Sequence, residues 1–134
     1  MFALIVLMSS LSYCLTPPAA VKKAFEQKFP NVTKVKWGKE TKTVFEAEFV
    51  FKGIKTSANF SQDGSWVETE TQIKISELPN AVTNAINKDY PKSKILKAEK
   101  TESDKNGITY ETLIKSGKHK KAVEFKEDGT PFKE

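Results

Sequence analysis

Arginine is absent: all 22 basic residues of this 134-residue chain are lysines. Arginine supplies the planar donor fork that reads phosphates and guanine edges, so a nucleic-acid interface built here would rest on point charges alone. The lysines are interleaved with 17 acidic residues along the chain, and the formal charge of +5 reads as a solvated surface. Nucleic acid is therefore excluded as a partner. Cysteine and histidine are nearly as scarce. One cysteine, Cys14, excludes an intramolecular disulfide, and one histidine, His119, removes a Cys–His pair, a histidine-rich zinc site and a haem ligand set. His119 follows Gly117 closely and reads as an exposed hairpin residue. No glycine-rich phosphate loop occurs, and Asp63-Gly64 and Asp128-Gly129 lack the ligand ladder of a calcium loop, so both read as turns. No cofactor, no metal and no catalytic residue are expected.

Charge is missing from one stretch, Met1 to Leu15, which is apolar or small throughout. It falls short of the roughly 20 residues that span a bilayer and has the length of a signal-peptide apolar region. A positive leading segment is lacking. Residues 1–17 are read as a signal peptide or lipoprotein leader, which places the mature protein in the periplasm or outside the cell; a membrane-anchored chain is the alternative. Leu11-Ser12-Tyr13-Cys14 resembles the bacterial lipoprotein signal, with Tyr13 where that motif has a small residue. Cys14 is thus either a lipidation site or simply part of the apolar run. A lipid anchor is the one membrane contact foreseen, and a monomer the expected state.

What is present is a pattern written twice. Pro18 to Pro30, PAAVKKAFEQKFP, returns sixty-one positions later as Pro79 to Pro91, PNAVTNAINKDYP. Val21, Ala24, Phe25 and Phe29 become Val82, Ala85, Ile86 and Tyr90, the spacing of one apolar helix face, and each copy ends in an aromatic-Pro pair. Phe60-Ser-Gln-Asp-Gly64 is answered by Phe125-Lys-Glu-Asp-Gly129. Units of about 55 residues are marginal alone, so the two, 18–75 and 76–134, are expected to share one compact domain.

After each helix the apolar period changes to two. Strands are predicted from Val32, with Val35 and Trp37 inward, then over Phe45–Phe51, Ile54–Phe60 and Trp66–Ile73. Ser76 is read as the cap of the second helix, Pro79–Asp89. Four further strands follow at about Ile95–Thr101, Ile108–Ser116, Lys120–Phe125 and Thr130–Lys133. The fold class is α+β, two tandem αββββ repeats forming an antiparallel sheet with helices packed on one face. The opposite face is expected to be wet.

On that wet face alternation places Glu46 with Glu48 and Glu68 with Glu70, and Lys34 and Lys36 on the first strand. Acid catalysis needs one carboxylate in an apolar pocket, whereas these carboxylates read as cross-strand partners of lysines. Trp66 falls on the same face by alternation, although a residue straight after a turn can rotate. It is either a lid on the sheet edge or an anchor for a partner.

The order AVKKAFEQKFP, KVKWGKE, FEAEF, FSQDGSWVETE and SELP before a second helix resembles the PepSY-like family of small bacterial envelope proteins, related in fold to the beta-lactamase inhibitor protein. The resemblance covers Pro18 to Glu134. It implies an exported protein with two αββββ repeats and an open sheet face of the kind with which the related inhibitors grip a protein; it implies no established activity. Two functional classes follow. One is a non-catalytic protein-binding module of the envelope that restrains a peptidase or another enzyme, using Trp66, Glu46, Glu48, Glu68, Glu70, Lys34 and Lys36. The other is a small-ligand carrier or envelope enzyme with a site between the repeats.

Overall fold

The computed structural model of the protein describes residues 15–133, so the expectations for Met1–Cys14, lipidation of Cys14 among them, lie outside the described residues. The chain divides into two compact units. The N-terminal unit holds residues 15–71 and 102–105, the C-terminal unit residues 72–101 and 106–133. The fold is α+β, with two helices and seven strands among the described residues. No helix among them is long and apolar enough to cross a membrane.

In the N-terminal unit, α1 (Ala19–Lys28) precedes β1 (Lys36–Lys39), β2 (Val44–Phe51), β3 (Ile54–Ser61) and β4 (Trp66–Ile73). The strands pair antiparallel in chain order. Pro18 is the N-cap and needs no donor of its own; its carbonyl accepts the Lys22 N–H at 3.0 Å. At the other end Pro30 turns Phe29 out of helical geometry. Between these limits Val21, Phe25 and Phe29 form the stripe that meets Phe45, Ala47, Phe49, Ala58 and Phe60 of the strands. Phe25 is the hub, its ring 4.9 Å from that of Phe49, 5.3 Å from Trp37 and 5.5 Å from Phe29. The first of these pairs is close to perpendicular, the arrangement that sets a positive ring edge on a negative face. The first strand is shorter than its sequence pattern: Asn31 takes a positive φ of 67°, and Val32 and Val35 pack on the core ahead of β1.

The C-terminal unit runs η1 (Ile75–Glu77), α2 (Asn80–Asp89), β5 (Lys94–Ser103), β6 (Gly107–Ser116) and β7 (His119–Lys126). The strands lie in the order β5-β6-β7. Leu78, Val82 and Ile86 close over Ala98, Tyr110, Ile114, Val123 and Phe125. Two expectations are corrected here. Ser76 does not cap α2: it sits inside η1, where Glu77 accepts the Lys74 N–H at 2.7 Å, and Pro79 is the N-cap of the helix. The expected eighth strand, Thr130–Lys133, is reduced to an isolated bridge between Phe125 and Pro131. Proline has no N–H to donate, so the ladder cannot continue through it.

The turns Asp63-Gly64 and Asp128-Gly129 share one geometry. Asp63 Oδ1 accepts the Ser65 N–H and Asp128 Oδ1 the Thr130 N–H, each at 2.9 Å. These bonds to the ionised form hold both carboxyls below their ordinary range. The glycines do more than turn the chain. A Cβ on Gly64 would stand 2.7 Å from the Ala20 carbonyl oxygen, and one on Gly129 only 2.5 Å from that of Ala81. Each helix therefore rests its first turn directly on a glycine backbone, at positive φ of 91° and 84°. Gly53, also at positive φ, has open space around it. Gly53→Ala is expected to cost about 1 kcal/mol for its backbone conformation alone. Gly64→Ala and Gly129→Ala should each cost at least twice that, because a helix must also lift. Denaturant titrations of the three variants check this; equal losses would mean the close approach carries no energy.

Candidate functional site

The face of β1–β4 turned away from α1 carries two transverse rows of polar side chains. In one, Lys36 pairs with Glu48, Glu48 with Ser57 and Ser57 with Glu70; in the other, Gly38 pairs with Glu46, Glu46 with Asn59 and Asn59 with Glu68. Four expected site residues, Glu46, Glu48, Glu68 and Glu70, are thus brought together, with Lys36 at the edge. Lys34 is exposed and precedes β1, outside the ladder. Asn59 and Ser57 belong to the rows as well. Their alternation with Ala58 and Phe60 signalled the face, but an amide and a hydroxyl attract less notice in a sequence than a row of carboxylates.

Trp66 is not on this face, against the alternation. The ladder slips between Asn59 and Phe60, so that Asn59 faces Glu68 while Phe60 faces Trp66. The extra residue of this bulge swings Trp66 to the helix side. There it packs against the core, donates from Nε1 to Thr69 Oγ1 at 2.9 Å, and lies under the Lys28 ammonium, 4.2 Å from the ring centre. The ring is thus held between the core and a cation above it.

The face is also drier than expected. Glu46, Glu48, Glu68 and Glu70 are half-buried and Asn59 is buried. In the C-terminal unit Thr109 and Glu111 are buried on the corresponding side of β6, where the Thr109 hydroxyl donates to Glu124 Oε1. The buried polar groups are satisfied only in part. Asn59 Nδ2 donates to Glu68 Oε1 at 3.0 Å, while Asn59 Oδ1 is buried without a hydrogen-bond partner.

Glu46 departs furthest from the lysine-paired carboxylate foreseen for it. Opposite it on β1 stands Gly38, which offers no side chain, so its neighbours are Glu48 along the strand and Glu40. Burial first, then a hydrogen bond to Glu48 and the charges of Glu48 and Glu40, push the Glu46 carboxyl from 4.5 up to about 8. At neutral pH it is a proton donor to Glu48. Among the described residues no group of three or more His, Cys, Asp or Glu is arranged to hold a metal ion.

A pH dependence follows with a definite sign. Folded Glu46 keeps its proton up to about pH 8, whereas an unperturbed carboxyl releases it near 4.5, so stability falls as pH rises through that window. Glu46→Gln keeps a donor and has no proton to lose. Its stability should decline less than that of the parent over this range, and it should be the more stable protein above pH 8. Urea midpoints measured across the window for both proteins check this; parallel curves would show that Glu46 ionises normally. Glu99, which burial also raises, is common to both proteins and cancels in the difference.

The fold is shared with solved proteins. A protein of Bacteroides eggerthii provisionally assigned to the periplasm is similar with a TM-score of 0.80 at 20% identity, over 89% of this chain and 88% of that one. A BLIP-like protein of Bacteroides fragilis is similar with a TM-score of 0.75 at 24% identity, over 89% and 85% of the two chains. A DUF2874 family protein of Bacteroides uniformis is similar with a TM-score of 0.80 at 21% identity, over 88% of each chain. No curated protein matches the sequence. The family model described as "Putative beta-lactamase-inhibitor-like, PepSY-like" matches residues 42–130, from the turn between β1 and β2 to the last turn, and the chain belongs to that family.

Proposed function

We propose that the protein is a non-catalytic, exported binding module of the bacterial cell envelope, and that the β1–β4 face of its N-terminal unit grips a protein partner, a peptidase or another envelope enzyme that it restrains. The observation that carries this reading is the ordered row Glu46–Asn59–Glu68 beside Glu48. It is a cross-strand, hydrogen-bonded polar surface set by the register of three neighbouring strands. The likeness to a BLIP-like protein supports it at the level of fold. We further propose that the chain is a tandem duplication, 18–75 and 76–134. Gly64 under Ala20 and Gly129 under Ala81 support this, because the same close approach recurs with the same turn. Export fits the periplasmic assignment of a structural neighbour. The mature chain then begins between Cys14 and Ala20.

A second reading, a small-ligand carrier or an envelope enzyme, is favoured by one observation. A half-buried carboxyl that keeps its proton to about pH 8 beside a second carboxyl is the arrangement of a general acid.

Two experiments test these readings. Mass spectrometry of the native protein should find a new amino terminus within Cys14–Ala20, and a diacylglyceryl mass on Cys14 would identify the anchor; an intact Met1 in the cytoplasmic fraction removes the export proposal. Crosslinking and pull-down from the producing cell's envelope should recover one specific protein with the parent and with Trp66→Ala, and lose it with Glu46→Lys plus Glu48→Lys. Retention by the double variant, or hydrolytic activity that tracks Glu46, would overturn the binding-module reading.

A further inference from the structure

The fold of the C-terminal unit gathers lysines that the sequence keeps apart. β5 and β6 are neighbours joined through residues 104–106, and β6 pairs antiparallel with β7. The start of β5, the end of β6 and the start of β7 therefore share one end of the unit. Lys92 and Lys94 lead into β5, Lys115 is near the end of β6, Lys118 lies in the turn, and Lys120 and Lys121 are at the start of β7; all six are exposed. Neither residues 90–98 nor residues 112–123 contain an acid. The end of α2 arrives at the same place, since Lys121 Nζ stands 5.2 Å from the centre of the Tyr90 ring.

Within this group Lys115 lies directly opposite Lys120 in the ladder. Like charges in that position destabilise a strand pair. The hairpin does not require them: in the β2–β3 hairpin of the N-terminal unit, Val50 faces Lys55 and the turn is Lys52-Gly53. An anionic surface laid against this end would turn the repulsion into attraction.

We propose that the lysine-rich end of the C-terminal unit docks on an anionic lipid surface, its ammonium groups taking the phosphates of the headgroups. The choice of a membrane over a nucleic acid rests on the chemistry of the array. Lysines are point charges on flexible stems, with no guanidinium fork for bidentate phosphate or base contacts. The aromatic ring at this end, Tyr90, is half-buried and lies under Lys121, so it offers no free platform for stacking a base. Clusters of four to eight lysines suit a diffuse, mobile layer of headgroups. This site is separate from the β1–β4 face and independent of the reading given for it.

Co-sedimentation of the full chain with vesicles tests the proposal, comparing vesicles of equal parts phosphatidylglycerol and phosphatidylcholine with vesicles of phosphatidylcholine alone. The ratio of the two affinities removes any contribution from the apolar leader. Each lysine near an anionic surface is expected to contribute about five-fold, so Lys115, Lys118, Lys120 and Lys121 all changed to Gln should lower that ratio several hundred-fold. The same loss of four charges at Lys22, Lys23, Lys42 and Lys55 should leave it within about five-fold of the parent. Circular dichroism confirms that both variants fold. No preference of the parent for anionic vesicles overturns the proposal. So does an equal loss in the two variants, which would make the attraction one of net charge. Tighter binding of the parent to a single-stranded oligonucleotide than to the anionic vesicles overturns it as well.

Discussion

A helix can approach a sheet no closer than the backbone beneath it permits, and in both units of this protein that limit is set by a glycine. Gly64 receives the Ala20 carbonyl and Gly129 the Ala81 carbonyl at separations that no Cβ would allow. The helix start is thereby fixed at the end of the turn that follows β3 or β7, and the rest of the helix is fixed with it. With α1 so placed, Phe25 reaches Phe49, Trp37 and Phe60, and Phe29 reaches Phe49 and Phe51. These ring contacts, four of them edge-on and that of Phe29 with Phe49 tilted, work only within a narrow range of separations. In the C-terminal unit the equivalent space is filled by Val82, Ile86 and Leu78 against Phe125, Tyr110 and Ile114, an aliphatic helix stripe in place of an aromatic one.

Committing the phenylalanines to the helix side leaves the other side of β1–β4 to polar groups. These are not simply solvated. Glu46 has no side chain across the ladder on β1, because Gly38 is its partner there, and it lies half-buried beside Glu48, so burial and that neighbour favour its protonated form. Burial contributes most, and no side chain of β1 stands opposite to offset it.

Most of the architecture is legible in the sequence because it follows from local periodicity. The helix stripes, the aromatic-Pro stops and the alternation of Phe45, Ala47 and Phe49 each specify one face of one element. The errors arise where two elements decide together. Trp66 is assigned to the wrong face because the slip between Asn59 and Phe60 belongs to a strand pair and leaves no mark in either strand alone. Ser76 has the chemistry of a cap, but the turn Ile75–Glu77 occupies it and Pro79 starts the helix. Thr130–Lys133 alternates like a strand, yet Pro131 leaves only a bridge. Asp-Gly at 63–64 and 128–129 announces a turn; that a helix rests on each glycine is written in neither sequence neighbourhood. The candidate site divides in the same way. Alternation groups the four glutamates, whereas the burial of Asn59 and the proton held by Glu46 depend on what stands across the ladder.

Net charge shows the same separation between chain and fold. A formal +5 spread over 22 lysines and 17 acids describes no particular surface. The antiparallel pairing of β1–β4 sets four glutamates on one sheet face of the N-terminal unit, where Glu46 keeps its proton for a hydrogen bond with Glu48. The antiparallel pairing of β6 with β7, and the turn that joins β5 to β6, set six lysines at one end of the C-terminal unit. Lysines opposed across a ladder have no proton to share in that way, because an ammonium group donates and cannot accept. Carboxyl groups can satisfy one another within the protein; ammonium groups cannot, and are left to water, a ring face or an anion. That asymmetry is the physical reason to look for a partner of opposite charge first at the lysine-rich end.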